Sequence, residues 1–178
     1  SFVKDVSEIL DDKGVFVVQQ NYVVGMLQRV AFDNICHEHL EYYSLTSMEQ
    51  LLEGHELEIF DVEEREINGG SFRAYIRKKG GGPNLTTEDG IGARKRVLDM
   101  RLKEKKLQLD TPMPYLEFSQ KVAGAVRTLS EFVKKEVISG KTIMVYVSST
   151  RGNTLLQAAG MNGDWISAAA ERNPDKWG

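Results

Sequence analysis

One cysteine, Cys36, among 178 residues has nothing to pair with inside the chain, which excludes a disulfide framework and fits a reducing, cytoplasmic setting. Apolar runs extend for only a few residues, so no segment reads as a membrane span. The opening Ser1-Phe2-Val3-Lys4-Asp5 lacks the charged start and apolar core of a signal peptide. A dominant charge is missing too. Lys and Arg number 23 against 26 Asp and Glu, a net charge of −3, which argues against a general nucleic-acid binder because phosphate neutralisation needs clustered cations. Histidine is scarce, and two of the three stand together.

What remains is ordinary for a globular protein: 41% hydrophobic and 28% charged residues, and length for one medium or two small domains. Against that background Cys36-His37-Glu38-His39 stands out, set between Phe32-Asp33-Asn34-Ile35 and Leu40-Glu41-Tyr42-Tyr43-Ser44. An imidazole exchanges a proton near neutral pH, and a neighbouring carboxylate can orient it, which suits a general base. His37 and His39 with Cys36 could instead ligate a metal, since residues two apart on an extended backbone share a face. However, the pattern is not HExxH, and no CxxC pair completes a structural zinc site. A polar loop with solvated histidines is the third reading. The adjacent phenols Tyr42 and Tyr43 are more often packing than chemistry, though a phenol near a keto oxygen could donate a hydrogen bond.

Apolar spacing predicts a first helix over 3–10, stopped by Gly14 as a left-handed cap, and then Val15-Phe16-Val17-Val18 as a strand buried on both faces of a parallel sheet. The histidine segment would then follow the carboxyl edge of that strand, where open α/β sheets bind ligands. Thr46 and Glu49 form a capping box for a short helix ending near Gly54. Leu57, Ile59 and Val62 suggest a strand with an irregularity near Phe60-Asp61. Alternation at Phe72, Ala74 and Ile76 predicts a second, joined to the first by hairpin chemistry at Asn68-Gly69-Gly70-Ser71.

Lys78-Lys79-Gly80-Gly81-Gly82-Pro83 reads as a linker, placing domains at 1–79 and 84–178. Residues 87–107 read as a charged helix. Thr111-Pro112 reads as a cap with proline at the first helical position. Tyr115, Phe118, Val122, Val126, Leu129 and Val133 then mark a long amphipathic helix closed by Ser139-Gly140. Ile143 to Val147 reads as a buried strand, followed by a loop Ser148-Ser149-Thr150-Arg151-Gly152-Asn153-Thr154 and a helix from Leu155. Strand, small polar loop and helix form an anion-binding arrangement, or simply a capped turn that binds nothing.

Taken together, Phe32 to Ser44, Asn68-Gly69-Gly70-Ser71-Phe72-Arg73 and Arg151-Gly152-Asn153-Thr154-Leu155-Leu156 resemble the S-adenosylmethionine-dependent C-methyltransferases of nucleotide-linked keto-deoxysugars. The resemblance runs over nearly the whole chain. It implies that His39 is the base that removes a proton next to the ketone, with Glu38 orienting it. It also implies that Ser149, Arg151 and Asn153 lie near the sugar nucleotide; Tyr43 is taken as a further candidate substrate contact, standing in with Tyr42 for a family tyrosine that is not matched. Cys36 stands where well-studied members carry a tyrosine. The family's cysteine-rich start and Gly-rich cofactor loop are not matched, so no residue is assigned to S-adenosylmethionine.

The resulting expectation is an α/β fold: the tail of a Rossmann-like methyltransferase sheet, a helical segment, and a partial Rossmann-like C-terminal domain. The chain is expected to be a fragment truncated at both ends and a homo-oligomer, such as a dimer, covering its exposed sheet edge. Two alternatives stand beside an enzyme fragment: a non-catalytic oligomeric binding module, and a metal-dependent hydrolase built on Cys36, His37 and His39.

Overall fold

The computed structural model describes residues 1–67, 69–83, 85, 87–146 and 149–174, and the chain divides into two compact units. The first comprises Ser1–Arg29 and Glu41–Pro114, the second Val30–Leu40 and Tyr115–Gly178. Helices and strands of both units place the fold in the α/β class.

In the first unit, helix α1 (Phe2–Ile9) precedes strand β1 (Phe16–Asn21), helix α2 (Val23–Arg29), helix α3 (Leu45–Glu53), strands β2 (Leu57–Arg65) and β3 (Ser71–Lys78), and helix α4 (Thr87–Lys106). The strands form one sheet in the order β1-β3-β2, with β3 antiparallel to both neighbours. This corrects the reading of β1 as a strand inside a parallel sheet. It runs in the same direction as β2, but β3 lies between them, and Val17 is 49% exposed. The central strand behaves as its alternation predicts: Phe72, Ala74 and Ile76 are buried, while Arg73 and Tyr75 are only half-covered. The expected irregularity in β2 is a register shift between Ile59 and Asp61. Phe60 is thereby freed to sit beneath the Arg77 guanidinium, 5.2 Å from the ring centre. Gly69 and Gly70 take φ of 85° and 120° in the connection to β3, as hairpin chemistry requires; Asn68 lies outside the described residues.

Two helix ends differ from expectation. Helix α1 closes at Leu10 in an extended conformation, and Gly14 caps nothing; its N–H donates to Asp11 O in a following turn. At α3 the capping box is Ser44 with Ser47: the Ser44 hydroxyl accepts from Ser47 N at 3.0 Å, and the Ser47 hydroxyl from Ser44 N at 2.9 Å. Thr46, the expected cap, turns its hydroxyl instead to Glu104 of α4, at 2.7 Å.

Residues 78–83 do not divide the compact units. Gly82 N donates to Asp12 O at 2.6 Å, and a Cβ on Gly81 would stand 2.4 Å from that same oxygen. The glycines serve close backbone approach here, and composition alone does not distinguish that use from flexibility. Beyond them, α4 packs on β2 and α3 through Ala93, Val97, Met100 and Glu104, all buried on one face.

Tyr22, between β1 and α2, is buried against Phe72, with ring centres 5.3 Å apart. Burial first, and then the charge of Glu104, push its phenol well above the usual tyrosine range. The unfolded chain releases this proton near pH 10 while the folded chain retains it. Native protein therefore holds the extra proton, and stability falls as pH rises above about 10, by up to about 1.4 kcal/mol per pH unit. Denaturation midpoints at pH 9 and 11 are expected to separate more for the natural chain than for Tyr22→Phe, and parallel decline would contradict this.

In the second unit, the single-turn 3-10 helix Phe32–Asn34 is followed, after the chain's return to the first unit, by helix α5 (Met113–Ile138) and the pieces β4 (Met144–Tyr146), α6 (Thr150–Ala158) and β5 (Ala168–Ala170). Helix α5 begins at Met113, so Pro112 precedes it, and the Thr111 hydroxyl donates back to Gln108 O rather than capping. Its far end is a Schellman closure: Gly140 takes φ 87° and Lys141 N reaches Glu136 O. Of the predicted apolar stripe, Phe118, Val122, Val126 and Leu129 are half-buried and Val133 is buried, while Tyr115 is exposed. Strands β4 and β5 pair in parallel around α6, a single β–α–β unit. The expected burial of β4 is not found, since Met144 is 62% and Tyr146 83% exposed; Val147 lies outside the described residues. Among the described residues no helix is long and apolar enough to cross a membrane.

Candidate functional site

The histidine segment does not follow β1 directly in the chain. Helix α2 intervenes, and residues Val30–Leu40 cluster with the second unit. There the 3-10 turn packs against α6. Asn34 is buried at its end, and Cys36 O accepts from His39 N at 3.0 Å, folding 36–39 into a turn. His39 is half-buried, whereas His37 and Glu38 are exposed.

The expected phosphate loop is largely helix. Ser149 is the N-cap of α6, its hydroxyl accepting from Gly152 N at 3.1 Å, and Arg151, Asn153 and Thr154 lie inside the helix. Asn153 N is already satisfied by Ser149 O, which leaves the first-turn N–H groups of Thr150 and Arg151 without intrahelical acceptors. Ser148 lies outside the described residues.

Two contacts tie the histidine segment to this helix start. Arg151 Nε donates to Asp33 Oδ2 at 2.7 Å, and Thr150 Oγ1 donates to Glu38 Oε1 at 3.1 Å. Arg151 and Asp33 are both partly exposed, with 40% and 26% of their side-chain surface accessible. The pair is therefore screened, and an anionic ligand can compete for the guanidinium. Among the described residues no hydrogen bond joins Glu38 to His39. Glu38 is engaged by Thr150 instead. Asp33 was read only as part of the histidine segment and Thr150 only as a loop hydroxyl; their pairings escaped the sequence because each partner lies more than a hundred positions away.

His39, Glu38, Ser149, Arg151 and Asn153 thus belong to one unit, and Tyr43 belongs to the other. Tyr43 O accepts from Val23 N at 3.0 Å, and the residue forms an isolated bridge with Tyr22. No group of three or more His, Cys, Asp or Glu among the described residues gathers to hold a metal. A cleft of about 660 Å³ in the first unit, lined by Phe60, Arg77, Arg94 and Arg101, is the main alternative site. Two of its cations are already committed, Arg77 to Glu58 at 2.8 Å and Arg101 to Glu49 at 2.5 Å.

Residues 66–178 match the family model described as the C-methyltransferase C-terminal domain. The chain is also 31% identical over 156 residues to the C-methyltransferase NovU of Streptomyces niveus. That alignment covers 88% of this chain and 35% of the relative, so the chain spans about a third of the length of the curated relative it matches.

Proposed function

The chain belongs to the C-methyltransferase family, of which it carries the C-terminal domain, and from that premise we propose that it is part of an S-adenosylmethionine-dependent enzyme methylating a carbon of a nucleotide-linked keto-deoxysugar. In this reading His39 takes the proton from the carbon beside the sugar ketone. The C–H bond breaks, its electron pair passes into an enolate, and the proton resides on the imidazole. The diphosphate lies at the start of α6, held by the Arg151 side chain and by the first-turn N–H groups.

The observation that supports this reading is the pairing of Asp33 and Glu38 with the first two residues of α6 inside one unit. It links the segment carrying the base to the end that would hold the anion. When bound, S-adenosylmethionine supplies the methyl group. The described residues do not fit that cofactor. Strand β1 passes into α2 without a glycine-rich turn, and a Cβ on Gly25 of α2 would stand 3.0 Å from Gly70 Cα, so this glycine is closed against backbone. No residue of this chain is assigned to the cofactor, and no step is derived through it.

Isothermal titration with a thymidine-diphosphate keto-deoxysugar tests the anion end. Arg151→Ala is expected to weaken binding by about ten- to a hundredfold, the worth of one charge-assisted hydrogen bond. Equal affinity of variant and natural chain would remove Arg151 from the site.

A further inference from the structure

The start of α6 is already occupied by the chain's own carboxylates. Asp33 Oδ2 accepts from Arg151 Nε at 2.7 Å, and Glu38 Oε1 accepts from the Thr150 hydroxyl at 3.1 Å. Thr150 and Arg151 are the first two residues of the helix. Two negative charges therefore meet one guanidinium and the partial positive charge of a helix end, about half an elementary charge. Charge at this end is more than neutralised from within the chain. The helix does not need either carboxylate as a cap, since the Ser149 hydroxyl accepts from Gly152 N at 3.1 Å.

We propose, resting on the reading of this end as the seat of the diphosphate, that Asp33 and Glu38 form an internal anion which the substrate's diphosphate must displace. A diphosphate needs the same groups that the two carboxylates hold: the guanidinium and the polar groups of the first turn. It cannot share them with two like charges at hydrogen-bond range without repulsion. Both contacts are weak enough to open, because Asp33 holds Arg151 through Nε alone and Glu38 is exposed. Asp33 lies in the 3-10 turn and Glu38 immediately precedes His39, so opening both contacts releases the base-bearing segment from α6. The closed contacts restrain that segment until the diphosphate arrives. They also lower the apparent affinity for it, in proportion to the fraction of chains in which the end is open.

Isothermal titration of the whole chain with inorganic pyrophosphate tests the proposal. Arg151→Ala removes a ligand of the anion and should weaken binding. Asp33→Asn and Glu38→Gln remove a competitor, and each should strengthen binding by about three- to tenfold. Asparagine keeps an acceptor oxygen for Arg151 Nε and removes only the charge, so the sign of its effect separates competition from positioning. If Asp33 served only to orient Arg151, Asp33→Asn would bind equally well or more weakly. That result, with Arg151→Ala weakened as expected, overturns the proposal and leaves the anion end in place. Where circular dichroism shows that Asp33→Asn has unfolded, Glu38→Gln, at an exposed position, decides in the same way. No pyrophosphate binding by the natural chain or these two variants overturns the anion end and the proposal with it, as does an Arg151→Ala affinity equal to that of the natural chain.

Discussion

Replacing Glu104 with alanine is expected to destabilise the chain by about 3 kcal/mol or more, read as the midpoint of chemical denaturation. Glu104 is 3% exposed, and its carboxylate does the work of a helix cap from 58 residues away. One oxygen accepts from Leu45 N at 2.5 Å, and the other from Thr46 N at 3.0 Å and the Thr46 hydroxyl at 2.7 Å. The negative charge also lies at the positive end of the α3 dipole. Alanine leaves three donors without their acceptor, each costing about 1–3 kcal/mol where water cannot replace it. Glu104→Gln retains one acceptor oxygen and should recover part of the loss. A cost below about 1 kcal/mol for Glu104→Ala would show that α3 is held by its own Ser44–Ser47 box and that the buried carboxylate is dispensable.

The second large effect is expected at His39. In an assembly that turns over the keto-sugar, His39→Ala should lower the rate of proton removal beside the ketone by about 10²- to 10⁴-fold, the usual worth of a positioned base. Binding of the sugar nucleotide should be unchanged, because the anion end rests on α6. Exchange of that proton for solvent deuterium reads the step without the methyl donor. Glu38→Gln should act more weakly, since Glu38 is engaged by the Thr150 hydroxyl at 3.1 Å and no hydrogen bond to His39 is found among the described residues. A His39→Ala rate equal to that of the natural chain, with binding intact, would remove His39 from the mechanism.

How much of this was legible in the sequence depended on the range of the interaction. The alternation of β3 and the apolar stripe of α5 are local periodicities, and both elements formed where their patterns indicated. The irregularity in β2 was legible for the same reason, because Asp61 interrupts the alternation. The direction of β1 was not legible. A short apolar run reads the same whether its neighbour is parallel or antiparallel, and that neighbour, β3, lies some fifty residues on. The α3 cap was misplaced by two residues because Thr46 and Glu49 satisfy the capping pattern on paper. A buried carboxylate from α4 claims Thr46 and leaves the cap to Ser44.

The candidate site divides along the same line. The histidine segment announced itself by the crowding of titratable groups within four residues. Its partners at the start of α6 could not be paired with it, because Asp33 and Arg151 stand 118 residues apart. Ser149 was read as a ligand-binding hydroxyl in a loop. Its position as N-cap explains the same Ser-Thr-Arg-Gly pattern by helix initiation, with the anion-binding end formed by the same geometry.

The most direct test is to incubate the chain with a thymidine-diphosphate keto-deoxysugar in deuterium oxide and follow the carbon beside the ketone by proton NMR. If the chain carries the base and the anion end of a sugar C-methyltransferase, deuterium enters that carbon above the uncatalysed background, with no methyl donor present. A sugar nucleotide that binds yet keeps its proton at the background rate would contradict the assignment of His39 and of the site as a whole.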